Sequence, residues 1–137
     1  MYLTKFSFAK TMAVNGKYNG VSSYACTKRG QVILSDFWSK KLKKMGVIVS
    51  AMHPGWVDTP GLQKSLPLFS SFLGKRLRSL AQGVDTIYWL AISGNKKIKT
   101  GELWFDREKR AKYLWFTKEH QKERDALWEY CENFKLI

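Results

Sequence analysis

Cysteine, histidine and proline are scarce in this 137-residue chain, with two, two and three copies. Cys26 and Cys131 lie near opposite ends, so no disulfide framework supports the fold. With His53 and His120 they supply no zinc-ligand spacing, and no metal is expected. Acidic residues are also few, 11 against 24 Lys+Arg, for a formal net charge of +13. No apolar run approaches the roughly 20 residues of a membrane-spanning helix. Lys5 and Lys10 break the apolar stretch from Phe6 to Ala9, so nothing at the start reads as a signal peptide. These absences lead to the expectation of an intracellular chain, cytoplasmic or peripheral on a membrane. What the chain does have is apolar surface. At 45% hydrophobic it is too apolar for intrinsic disorder, and its length suits one ordinary domain.

The positive charge is spread along the chain rather than gathered in a tail. Its clusters are Lys40-Lys41-Leu42-Lys43-Lys44, Lys75-Arg76-Leu77-Arg78, Lys96-Lys97-Ile98-Lys99 and Arg107 to Lys112. Each adjoins an apolar stretch, where helix ends and loops meet solvent. A lysine-rich surface is the plainest reading. Attraction to a phosphate-bearing cofactor, an anionic membrane or nucleic acid are the alternatives. No nucleic-acid-binding motif accompanies the charge, so no nucleic acid partner is expected.

The segment 1–22 is irregular, with turn signals at Asn15-Gly16 and Asn19-Gly20. Ser22 and Ser23 offer an N-cap for a helix from about Tyr24 to Met45, which Gly46 stops after a basic last turn. The run Val47 to Met52 lacks alternation and predicts a strand covered on both faces, as in a parallel sheet. His53-Pro54-Gly55 ends it. Residues 61–77 read as a mobile loop with a short helix. A helix follows over Ser79 to Ile92, with Leu80, Val84, Ile87, Leu90 and Ala91 facing inward. Thr100 to Asp106 predicts a strand and Thr117 to Phe134 an amphipathic helix. A strand buried on both faces needs more neighbours than this chain provides. The pattern therefore predicts an α/β partial domain whose remaining sheet lies elsewhere.

Tyr24 and Lys28 lie four apart, on one helix face a turn apart. An ammonium beside a phenol favours the phenolate. Such a tyrosine exchanges a proton with a carbonyl or alcohol oxygen. Tyr24-Ala25-Cys26-Thr27-Lys28 is followed, about thirty residues later, by Pro54-Gly55-Trp56-Val57-Asp58-Thr59. This order and spacing resemble the C-terminal half of the short-chain dehydrogenase/reductase family. The resemblance implies the C-terminal portion of a Rossmann-type doubly wound parallel sheet, without its N-terminal nucleotide-binding half. It implies a single partial domain: a lead-in over 1–22, catalytic helix and cofactor-loop strand over 23–59, substrate loop over 60–78, and C-terminal helices with the last strand over 79–137.

The same resemblance implies roles. Tyr24 would be the general acid/base, and Lys28 would hydrogen-bond the nicotinamide ribose. Pro54, Gly55, Val57 and Thr59 would form the loop holding the nicotinamide end of NAD or NADP, so that hydride is delivered in near-attack geometry. The substrate would be an apolar carbonyl or alcohol small molecule, and the Tyr-bearing helix would pair two copies into a homodimer. The chain departs from the family in lacking a Gly-x-x-x-Gly-x-Gly turn, which cradles the pyrophosphate, and an Asn-rich mid-domain motif. Thr4, Ser7 and Thr11 are the only serine or threonine residues well upstream of Tyr24, and no strand-end pattern precedes them as it does the family's catalytic serine. The expectation is an oxidoreductase fragment, inactive alone. The alternative is a basic amphipathic module that binds anionic membrane surfaces or acidic partners through Gly61 to Arg78. Cys26 points about 200° from Tyr24 and reads as a buried thiol, and His53 as a packing or hydrogen-bonding residue.

Overall fold

The computed structural model describes residues 4–11 and 18–134. The Asn15-Gly16 turn lies outside them. The elements run α1 (Phe8–Thr11), α2 (Gly20–Lys41), β1 (Ser50–Met52), α3 (Pro60–Ser65), α4 (Pro67–Leu73), α5 (Leu80–Ile92), β2 (Glu102–Phe105), β3 (Glu108–Arg110) and α6 (Gln121–Asn133). None of the described helices is long and apolar enough to cross a membrane.

The chain divides into two compact units. The first holds residues up to Ala51, Thr100–Glu102 and the chain from Ala111 on; the second holds Met52–Lys99 and Leu103–Arg110. The three strands have the order β1-β2-β3, and the division runs through β1 and β2. β2 and β3 pair antiparallel, with Trp104 opposite Lys109. The expected strand over Val47 to Met52 contracts to three residues, and Val47 and Ile48 are exposed. Among the described residues there is thus a small mixed sheet of three strands. The physical reason is the lack of neighbours. With one partner strand on one side, Val47 and Ile48 have nothing to be buried against.

In the first unit, α2 is the organising element. Asn19 caps it, its side chain accepting from the Ser22 amide at 2.9 Å, so the helix starts at Gly20 and not after Ser22-Ser23. It ends at Lys41, and a short 3-10 turn closes on Gly46, which takes the left-handed φ of 74°. Phe6, Ile33 and Leu127 form the buried cluster that joins α2 to the lead-in and to α6, with Phe8, Leu34 and Phe37 packed around it. Gly30 lets Phe6 approach α2; an added Cβ would lie 3.2 Å from its ring.

In the second unit, the stretch expected to be a loop with one short helix forms two, α3 and α4, each opened by proline. Proline suits that position because its missing N–H would have no helical partner there. α5 carries a capping box between Ser79 and Gln82. Its buried residues are Gly83 and Thr86; of the expected inner face, Leu80, Val84, Ile87 and Ala91 are exposed and Leu90 is half-buried. Gly83 is inward because Val57 fills the space: a Cβ there would sit 2.6 Å from Val57 Cγ2. The Thr86 hydroxyl accepts from the Arg107 amide at 3.2 Å.

Candidate active site

The expected site residues fall in both units. Tyr24 and Lys28 lie in the first, on the N-terminal half of α2. Pro54, Gly55, Val57 and Thr59 lie in the second, after β1.

Tyr24 is 64% exposed, while Cys26, two residues on, is fully buried beneath the same helix. The Lys28 ammonium stands 5.7 Å from the centre of the Tyr24 ring, over its face, and donates to Gln31 Oε1 at 3.3 Å. A phenol and an ammonium are therefore offered together on the open side of one helix. A cation over a ring face is attracted by the ring quadrupole, which holds the amine beside the phenol.

The buried side of α2 is held by an ionic network between residues far apart in sequence. Arg29, 1% exposed, makes a two-pronged ion pair with Glu119, Nη2 donating to Oε2 at 2.9 Å, and also donates to the Lys112 carbonyl. Arg124 lies 3.7 Å from Glu119 and donates to Asp36 Oδ2 at 2.7 Å. Lys112 also pairs with Asp36, and Lys40 reaches it at 3.3 Å. Burial pushes the Asp36 carboxyl up, but hydrogen bonding and charge from Lys112, with help from Lys40, outweigh it and hold the group below the ordinary carboxylate range. Arg29 directly follows Lys28, so this network sets the rotation of the helix that presents the pair.

The loop after β1 is equally constrained. The Gly55 amide donates to His53 Nδ1 at 2.9 Å. Burial, with the positive charge of Arg78 nearby, lowers the His53 pKa below its usual 6.5. Both observations describe a neutral imidazole whose Nδ1 accepts. Arg78 braces the loop from below. Its amide donates to the Trp56 carbonyl at 2.8 Å, and its carbonyl accepts from the Asp58 amide at 2.9 Å, bridging the strand-like Val57. Its guanidinium bonds Asp106 at 2.5 Å and stacks 5.2 Å from the Phe105 ring centre. Gly55 takes φ 78°, and a Cβ on it would lie 2.6 Å from Arg78 Cδ. Thr59 ends the loop as the N-cap of α3, accepting from the Leu62 amide at 3.2 Å.

A shallow groove of about 430 Å³ lies in the first unit, lined by Phe8, Ala126, Glu129, Tyr130, Asn133 and Phe134. None of the expected site residues lines it. Among the described residues, no group of His, Cys, Asp and Glu could hold a metal ion.

Over 76 residues, 56% of its length, the chain is 49% identical to a curated protein of Bos taurus and 46% identical to one of Homo sapiens. Both are named dehydrogenase/reductase SDR family member 12. This chain is thus similar to a short-chain dehydrogenase/reductase. The matched stretch spans 23% of each relative, so the chain covers less than a quarter of their length. No family model matches it, and no solved structure does. The relatives' name agrees with the resemblance carried by Tyr24-x-x-x-Lys28 and Pro54-Gly55-x-Val57-x-Thr59. Arg29, Glu119 and Arg78 were missed because their partners lie tens of residues away. The one local signal was an arginine inside the otherwise apolar side of a long helix.

Proposed function

We propose that this chain is a C-terminal part of an NAD(P)-dependent short-chain dehydrogenase/reductase that interconverts an apolar carbonyl compound and its alcohol. The observation that carries the reading is the Tyr24–Lys28 pair, phenol and ammonium held together on the open face of α2. The similarity to the SDR proteins supports it.

Each unit by itself carries donors of the kind that the nicotinamide-ribose end of the cofactor takes. Lys28 supplies an ammonium for ribose hydroxyls and Tyr24 a phenol. Thr59, whose oxygen accepts from the Leu62 amide, keeps its own O–H to donate. When bound, the nicotinamide supplies or accepts the hydride. Tyr24 gives its phenolic proton to the substrate oxygen in reduction and takes it back in oxidation. Gly55, fixed by Arg78 and His53, orients the loop at the nicotinamide end. The apolar side chains of α3 and α4 line the substrate region, and whole enzymes of this kind pair through the tyrosine-bearing helix. No Gly-x-x-x-Gly-x-Gly in the 137 residues cradles a pyrophosphate, so alone they hold the cofactor weakly and give no measurable turnover.

The test uses the longest open reading frame that contains the chain, read for an in-frame strand and glycine-rich turn upstream. Its product is assayed by nicotinamide absorbance against a panel of apolar ketones and alcohols. Tyr24→Phe is expected to lower kcat about 10²–10⁴-fold, while the 137 residues alone stay silent. Turnover that survives Tyr24→Phe, or a frame with no glycine-rich turn, overturns the reading.

A further inference from the structure

We propose that α4, whose apolar residues the proposed function also places beside the substrate, forms with the turn after it a docking surface for anionic lipid membrane. Leu68 and Phe72 are 87% and 82% exposed, the most open large apolar side chains of this unit. They lie four residues apart, so they project from the same side of α4 one turn apart. α4 is not loosely attached: Phe69, between them in sequence, packs on Trp56 with ring centres 4.5 Å apart. The inward residue is anchored while its neighbours stand in solvent.

The charge around this apolar pair has one sign. From Thr59 to Val84 the chain contains no acidic residue, and its basic residues are Lys64, Lys75, Arg76 and Arg78. Arg78 is committed to Asp106. Lys64, Lys75 and Arg76 are exposed, and no ion pair engages them among the described residues. Lys75 and Arg76 occupy the 3-10 turn Gly74–Arg76 that directly follows α4. Apolar side chains flanked by uncompensated cations match a bilayer interface, where the apolar groups enter the headgroup boundary and the cations meet anionic lipid. An acidic protein would satisfy the cations but would not account for two protruding apolar side chains a turn apart.

The experiment is co-sedimentation of the 137-residue protein with phosphatidylcholine vesicles, with and without phosphatidylserine, over a sodium chloride series. The expected result is binding that requires phosphatidylserine and weakens as salt rises. Lys75→Glu with Arg76→Glu should weaken it at least about thirtyfold, and Leu68→Ser with Phe72→Ser at least about tenfold. All four residues face solvent, so circular dichroism and thermal melts of the variants should match the parent. The control is Lys96→Glu with Lys97→Glu, which changes the net charge equally at another exposed site of the same unit. Equal loss in that control would show general charge attraction and overturn the proposal. So would equal binding to neutral vesicles, binding unaffected by the α4 changes, or no binding at all.

Discussion

Gly55 meets two constraints at once, a φ of 78° and an Arg78 side chain where a Cβ would stand. The left-handed backbone costs a residue with a Cβ about 1–2 kcal/mol, and displacing Arg78 from Asp106 and Phe105 adds to that. Gly55→Ala should therefore destabilise the second unit by more than the backbone cost alone, measured by urea unfolding. Combining it with Arg78→Ala should recover the steric part and leave the φ part, which a double-mutant cycle separates. The histidine beside it makes the same loop sensitive to acid. The folded-state pKa of His53 is depressed, so its contribution to stability is complete above 6.5 and is lost as pH falls through the lower folded value. Protonating Nδ1 removes the acceptor for the Gly55 amide. Asp36 has the same sign at lower pH: its contribution is present above 3.8 and disappears as pH falls through its depressed value. Acid titration of stability should show both losses. His53→Gln should flatten the upper one and Asp36→Asn the lower.

Among the elements, α2 carries the readable chemistry and hides what aims it. The Tyr24–Lys28 spacing was legible because four residues make one helical turn whatever surrounds them. The cap was not: Ser22 and Ser23 are good N-cap types, but Asn19 reaches the Ser22 amide first. Asn19→Ala should cost about 1 kcal/mol of stability, read by thermal unfolding, and Ser22→Ala close to nothing. α5 shows the opposite failure. Its length was visible in the sequence, yet its buried side was misread. Hydrophobicity pointed to Leu80, Val84 and Ile87, but the space against Val57 admits only a glycine, and Arg107 needs a hydroxyl acceptor. Shape and hydrogen bonding decided the face. The strand at Val47 to Met52 was overextended for a related reason. Its apolar run describes a strand with neighbours on both sides, and here only Ser50–Met52 finds pairing.

Across the whole chain, ionic ties between residues far apart in sequence stand beside the apolar ones. Arg29 and Glu119 are 90 residues apart, and no local pattern announces such a pair. Removing one partner of a buried ion pair costs about 3–5 kcal/mol because the other charge is left uncompensated. Glu119→Ala should therefore cost far more than truncating an exposed apolar residue such as Leu114 or Trp115. The apolar side chains make the complementary point. The largest fully buried ones are Phe6, Ile33 and Leu103, while Trp56, Leu80, Ile87, Tyr88, Ile92 and Trp115 stand in solvent. Exposed apolar surface on this scale marks places that another surface covers. The 137 residues expressed alone should accordingly enhance the fluorescence of a hydrophobic dye in native buffer. They should also unfold in urea with a shallower slope than chains of equal length, since the slope follows the surface newly exposed on unfolding. Replacing Leu80 and Ile87 by serine should lower the dye signal without lowering stability, because neither side chain is buried. A loss of stability in that variant would mean that α5 packs by the face the sequence first suggested.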